Sequence, residues 1–432
     1  MSRLFRYVGH VAGAAALVAM VGCAESPDRS DPGPDDPAAD PETDPGTGPV
    51  DPGTMPGSDP TTGRFSAVMD GLQPGWLVTT TRLTDGSAPT ELTQVSDGSP
   101  IMLTGAASDV FVAMATDGDG KLMAMQSMGS PCTTARSHQR RVPADYATIQ
   151  AAIDAAQPGD TVAVARGQYT EAVQMRPGIC LLGAGALHTV LDAQQRPDTL
   201  VDLTSAPGAV VAGFTFRGVT MPPGCANRDP FTCSGEWYRA GVFIGGTDWR
   251  DPTQDAPPLI SNNIFADNDI GVMLNWRGVA VVRNNLFLGN RSGLVANHFQ
   301  SRTLVANNVF FGNRELAIGN QAAYLDLIEN VIARSQVGVR FEYVQTGYIR
   351  CNVFFDNDAN QASPYDNDTR FTIGRDGNIE IDPKFVDPDA SDFHLQAGSP
   401  AIDHGCSAGH EPDGSPHDIG AYGGPLAGSI AL

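Results

Sequence analysis

The residues of this 432-residue chain best suited to chemistry sit at matched positions of a repeating unit. Asn275, Asn297, Asn320 and Glu342 fall at one aligned position, and Trp276, His298, Gln321 and Tyr343 at the next. Aromatic rings cover the apolar faces of sugars, while planar amides and carboxylates pair with hydroxyls. Arg340 lies two residues before Glu342, so along a strand the two share a face. They form either a surface ion pair or a base beside an acid, as a lyase would need. His298 carries an imidazole suited to general-base work near neutrality. Two readings of these columns stand. One is an open glycan-binding strip. The other is a ladder of turn amides, with Trp276 and Tyr343 covering loops.

These positions come from a repeat. Asn263, Asn285, Asn308, Asn330 and Asn352 each open a similar segment, at spacings of 22, 23, 22 and 22 residues. A fixed short period means one supersecondary unit stacked on itself. Within a unit, short apolar runs such as Leu286-Phe287-Leu288, Gly293-Leu294-Val295-Ala296 and Thr303-Leu304-Val305-Ala306 are separated by Gly and Asn. Runs of that length bounded by turn residues are strands. Three strands in about 22 residues predict one coil of a right-handed parallel β-helix; the leucine spacing and helical half of a leucine-rich repeat are absent. Stacked coils place the same residue above itself, so the Asn column can form a structural amide ladder. A second column, Asn268, Asn290, Asn313, Ser335 and Asn357, reads as a set of turn residues suited to the left-handed conformation.

The start of the chain places it outside the cytoplasm. Arg3 and Arg6 precede an apolar stretch ending at Val21-Gly22-Cys23, the pattern of an export signal. Residues 24–62 are rich in Asp, Pro and Gly and cannot bury apolar surface, which makes them an extended tether. The tether supplies a good part of the formal net charge of −22, and the remaining acidity argues against nucleic acid or anionic lipid as a partner. Of seven cysteines, six remain if Cys23 is set aside, an even number suited to disulfides. Cys225 and Cys233 close a short Pro- and Gly-containing loop and are the favoured pair. Zinc-type Cys spacing is missing. Asp117-Gly118-Asp119-Gly120 matches the start of a calcium loop, but its later ligands are absent, so it reads as a hairpin turn and calcium has no support. No metal or cofactor is expected, and the chain reads as a monomer.

Residues 63–130 carry strand signals at Trp76-Leu77-Val78, Ile101-Met102-Leu103 and Val110–Met114, a small β-rich domain. From Ile149, apolar residues recur at i, i+3, i+4 and i+7, an amphipathic helix able to cover the open end of a solenoid.

Here the sequence resembles known families. Val21-Gly22-Cys23 is similar to a bacterial lipobox, which implies lipidation at Cys23 and anchoring at the outer membrane. Asp145-Tyr146-Ala147-Thr148-Ile149-Gln150, Pro158-Gly159-Asp160-Thr161-Val162 and Gly167-Gln168-Tyr169 resemble the entry to the pectin-lyase-like β-helix superfamily. Asp382-Pro383-Lys384-Phe385, Asp392-Phe393-His394-Leu395 and Asp418-Ile419-Gly420-Ala421-Tyr422 resemble the closing segment of bacterial β-helix surface lipoproteins. The resemblance spans about residues 141–424. It implies the fold; activity in that superfamily ranges from lyases to non-enzymes. The Gly-His-Gly of polygalacturonases and the Gly-x-Val-Asp-Phe of methylesterases are both absent.

The sequence therefore predicts an all-β chain. Residues 1–23 are a lipoprotein signal, 24–62 a tether and 63–130 a small β-rich domain. Residues 141–380 form a right-handed parallel β-helix with about 22-residue coils and an N-terminal capping helix, and 381–432 a closing segment. The expected function is polysaccharide binding at the cell envelope through Asn275, Trp276, Asn297, Gln321 and Tyr343. The alternatives are a lyase or hydrolase using His298, Glu342 or Arg340, and an adhesive surface protein.

Overall fold

The computed structural model describes residues 58–59, 64–69, 74–75, 77–83, 90–99, 101–106, 110–116, 122–127, 132–133, 139–222, 224–225, 239–245, 257–276, 278–297, 302–342, 347–362, 373–408, 410–411 and 413–426. Cys23, residues 24–57 of the tether, Cys233, His298 and Tyr343 lie outside the described residues, while Ser58–Asp59, near the end of the expected tether, forms a short strand paired with Arg64 and Phe65.

Each coil contributes one strand to each of three parallel sheets. The first sheet has nine strands, from Gln139–Val142 to Ile349–Arg350. The second has nine, from Gly167–Tyr169 to Ile379–Glu380. The third has eight, from Val173–Gln174 to Ala359–Ala362. Like residues stack on like: Leu286 pairs with Val309, then Val331, then Val353. The chain is a right-handed parallel β-helix.

Inside, Phe216, Phe265, Phe287 and Phe310 take one inward position in successive coils. Their ring centroids lie 5.1, 4.9 and 4.4 Å apart and their planes differ by 17°, 10° and 6°. The separation follows from the strand spacing of about 4.8 Å, which sets neighbouring rings at stacking distance.

The capping helix spans Ile149–Ala155 and buries Ile149, Ala152 and Ile153 on the first coil. Both ends are closed by hydrogen bonds. Thr148 Oγ1 accepts the Ala151 N–H, and the Glu171 carboxylate accepts those of Ile149 and Gln150 at 3.0 and 3.2 Å. At the other end Arg176 donates to the carbonyls of Ile153, Asp154 and Ala156. A carboxylate at the N-terminus and a guanidinium at the C-terminus also suit the helix dipole.

The small β region forms an antiparallel five-stranded sheet containing Leu77–Leu83, Thr90–Val95, Val110–Thr116, Leu122–Ser127 and Cys132–Thr133. It docks on the solenoid through a buried ion pair. Arg283 Nη1 lies 2.8 Å from Glu91 Oε1, and the side chains are 1% and 5% exposed. Thr81 Oγ1 donates to the same Glu91 oxygen, and Arg283 Nη2 donates to Asn307 Oδ1.

The last described residues form a strap along the side of the solenoid. Phe385, Phe393, Ala401, Ile419 and Ala421 pack on the outer face of the second sheet, over Ile264, Leu286, Val309, Val331 and Val353. The second sheet is thus apolar on both faces, which is why its strands read as continuous apolar runs. The strap runs backwards across the coils. Cys406 is bonded to Cys351, Ser407 N–H donates to Glu329, Asn307 donates to the Asp418 carbonyl, and Asn284 donates to those of Ala421 and Gly423.

Candidate functional site

The Asn column forms a continuous ladder. The backbone N–H of Asn263 donates to Asn285 Oδ1 at 3.0 Å, Asn285 to Asn308 at 3.0 Å, Asn308 to Asn330 at 3.0 Å and Asn330 to Asn352 at 2.9 Å. Each side-chain amide also donates to the next Asn Oδ1 and to a backbone carbonyl of the coil before. The ladder runs one rung further, to Asn378, whose Oδ1 accepts from Asn352 N–H at 3.1 Å. With every group paired inside the wall, these amides are committed to the fold.

The second column is bonded in the same way through Asn268, Asn290, Asn313, Ser335 and Asn357. Its residues do not take the left-handed conformation. That kink falls on the residue before each rung: Asp267, Gly289, Gly312, Arg334 and Asp356 have φ of 53°, 60°, 65°, 49° and 53°. A rung must hold its N–H toward the next coil, so the preceding residue absorbs the turn. Asn262, Asn284, Asn307, Glu329 and Cys351 do the same for the first ladder, with φ between 51° and 58°.

The third sheet corrects the alignment of the candidate glycan residues. Asn275 pairs with Asn297, Asn297 with Gln321, and Gln321 with Glu342. Gln321, not Asn320, therefore joins this column. The cause is an extra residue in the turn after Asn313, where the N–H groups of Glu315 and Leu316 both donate to the Arg291 carbonyl. Asn320 instead stacks in the inward column of Ala296 and Phe341 and closes a turn with the backbone of Ala323.

Along the Asn275 column, burial decreases toward the C-terminal coils. Asn275 and Asn297 are buried, and Asn275 Oδ1 meets no hydrogen-bond partner among the described residues. Gln321 and Glu342 are part-exposed, and Gln321 Nε2 donates to Glu342 Oε2 at 3.0 Å. Arg340 shares the outward face and bonds Glu342 Oε1. Both oxygens of Glu342 are therefore engaged.

Exposed aromatics gather on the neighbouring edge, where the third sheet turns into the first. Trp276 follows the strand Ile270–Asn275, Tyr324 opens Tyr324–Ile328, and Tyr348 precedes Ile349–Arg350. They are 46%, 41% and 39% exposed and are the three exposed aromatic residues among those described. Tyr324 and Tyr348 belong to no sequence column. Each coil adds about 4.8 Å along the axis, so the three residues lie at different heights along this edge.

The two acids with the largest shifts lie elsewhere, in the strap and beneath it. Glu329 and His417 are fully buried, with Glu329 Oε2 3.1 Å from His417 Nδ1. Burial would raise the Glu329 carboxyl, but the His417 contact and the Ser407 N–H outweigh it and hold it at about 2. Glu411 Oε1 accepts the N–H groups of Asp418 and Gly424, yet burial raises this carboxyl to about 7. Sequence periodicity gave no sign of this cluster. Cys180, Cys225, Cys351 and Cys406 are disulfide-bonded, the last two to each other.

Residues 232–378 match the sequence profile of the family described as NosD, periplasmic copper-binding protein. No curated protein matches the chain by sequence. Among solved structures, it is similar to the catalytic unit of the thermostable GH87 alpha-1,3-glucanase from Streptomyces thermodiastaticus strain HF3-3. That match has 13% identity and a TM-score of 0.36, covering 70% of this chain and 68% of the other. A PL6 family alginate lyase matches at 15% identity and a TM-score of 0.31, covering 56% and 40%. A pectin methylesterase solved with a hexasaccharide matches at 11% identity and a TM-score of 0.27, covering 63% and 98%. A copper centre does not fit the described residues. No group of three or more His, Cys, Asp or Glu converges among them, and the four bonded cysteines are not thiolate ligands.

Proposed function

We propose that this β-helix belongs to an exported, lipid-anchored protein that binds polysaccharide along the edge between its third and first sheets. One observation carries the reading: Trp276, Tyr324 and Tyr348, the exposed aromatics of the described residues, share that edge. Beside them Gln321, Arg340 and Glu342 present planar polar groups on the outward face. Rings covering sugar faces, with amides and a guanidinium pairing to hydroxyls, form a glycan platform. Asn275 and Asn297 lie beneath it and take no part.

The arrangement favours binding over bond cleavage. The charge of Glu342 is already met within the protein by the Arg340 guanidinium and the Gln321 amide. The test is a glycan array probed with the purified chain, followed by an ultraviolet assay for unsaturated products on each hit. Binding without product, weakened about tenfold by Trp276→Ala or Tyr324→Ala, is the expected result at roughly 1–3 kcal/mol per stacked ring. Binding with product that Glu342→Ala abolishes makes the protein a lyase. Silence across the array removes the glycan reading.

A further inference from the structure

The small sheet has one long edge without a partner. The strand Thr90–Val95 lies at its margin and pairs only with Leu77–Leu83. Its other side makes no backbone hydrogen bond among the described residues. Proteins usually blunt such edges with lysine, proline, a bulge or a very short strand. Here the register runs unbroken over six residues, and the strand holds neither lysine nor proline. Its single charge, Glu91, is turned away to Arg283. Leu92 and Val95 are 65% and 68% exposed, the most exposed large apolar side chains among the described residues. Other margins are guarded. The opposite edge of the same sheet, Cys132–Thr133, is two residues long, and the helix Ile149–Ala155 covers the first coil.

The strap comes to this edge. A Cβ placed on Gly424 would lie 2.7 Å from Asn307 Oδ1. The same oxygen accepts from Arg283 Nη2 at 3.0 Å, and Arg283 Nη1 lies 2.8 Å from Glu91. Two side chains therefore separate Gly424 from Glu91 of the open strand. Leu426 is fully buried in a cluster with Leu304, Ala306 and Ile328, and those three share a small cavity with Glu91 and Arg283. The six residues that follow, Ala427-Gly428-Ser429-Ile430-Ala431-Leu432, lie outside the described residues. They carry no charge, and Ile430 and Leu432 alternate with small residues, the pattern of a strand with one apolar face. Six extended residues reach about 20 Å, the length of a strand such as Thr90–Val95.

We propose that residues 427–432 add to the small sheet as a strand beside Thr90–Val95. Their main chain fills the open edge with hydrogen bonds, and Ile430 and Leu432 pack beside Leu92. Neither segment turns a charge toward the other. A second copy of the chain fits the edge less well, because each copy brings a formal charge of −22. The added strand gives the small sheet a second fastening besides Arg283 and Glu91, and it is independent of the aromatic edge.

The experiment is hydrogen exchange, read by mass spectrometry, on the full chain and on a chain shortened to end at Leu426. Residues 90–95 exchange about tenfold more slowly in the full chain. The coil of Asn308 exchanges alike in both, which shows that the shortened chain is folded. Ile430→Asp keeps the length but opposes the apolar contact, and it moves the exchange of residues 90–95 toward that of the shortened chain. Equal exchange of residues 90–95 in the full and shortened chains overturns the proposal and leaves the edge to an extended strand of another protein. Protection that grows with protein concentration also overturns it and assigns the edge to a second copy.

Discussion

Glu329 and His417 are 88 residues apart in sequence, and 3.1 Å separates their side chains in a site closed to solvent. Glu329 stands where other coils carry Asn262, Asn284 and Asn307, at the left-handed turn position. Its carboxylate gathers the Ser407 N–H at 2.7 Å, Asn307 Nδ2 at 3.3 Å and His417. One acidic substitution in an amide column thus becomes the point where the strap is fastened.

Removing that carboxylate strands three partners in a buried site. Glu329→Ala should cost about 3–5 kcal/mol, as loss of one member of a buried pair does. Glu342→Ala, in the part-exposed pair with Arg340, should cost under about 1 kcal/mol. Urea unfolding of the two variants side by side checks the contrast.

Stability should vary with pH in two windows. Glu411 is raised from 4.5 to about 7 in the folded chain, so the fold favours its protonated form. That contribution is full below pH 4.5 and lost as pH rises through about 7. Glu329 is lowered to about 2, so its contribution is full above pH 4.5 and lost as pH falls through about 2. Melting temperatures should decline between pH 5 and 8, and Glu411→Gln should flatten that decline. A parent profile with no fall over this range would contradict the assignment.

The rungs of the ladder should be costly to remove. Asn308→Ala leaves Asn285 N–H, and carbonyls of Val282 and Ala306, without their present partner. Each orphaned buried group costs about 1–3 kcal/mol. Hydrogen exchange should show the Asn285 and Asn308 coils losing protection before the capping helix does.

Arg283 and Glu91 hold the small sheet on the solenoid. Arg283→Met alone should leave Glu91 buried and unpaired and cost about 3–5 kcal/mol, whereas adding Glu91→Leu should recover much of it. Limited proteolysis reads the result: the single variant should be cut in residues 63–130 faster than the double.

The repeat was legible because one chemical group recurs at the coil length, and the Phe column behind it shares the same interval. Its extension was not: Asn378 follows Asn352 by 26 residues and breaks the period. Glu315 shifts the third sheet by one residue for a reason no propensity carries, since two N–H groups share one carbonyl there. Trp276, Tyr324 and Tyr348 lie 13, 16 and 18 residues after their ladder Asn, so no fixed offset aligns them. Turns between the third and first sheets differ in length, and only folded coils show the rings on one edge. The His417 contact joins a repeat to a non-repeat, where periodicity has nothing to say.

A stack of similar coils has no natural stopping point, since each new coil offers the next the same edge. The strap supplies one. Asn284, Asn307, Glu329 and Cys351 occupy successive coils, and each has its own fixed partner, from Gly423 back to Cys406. Inserting or deleting a coil within that span would put every later fastening out of step. The strap is a ruler laid against the solenoid, and over those four coils it sets the number of turns the chain can hold.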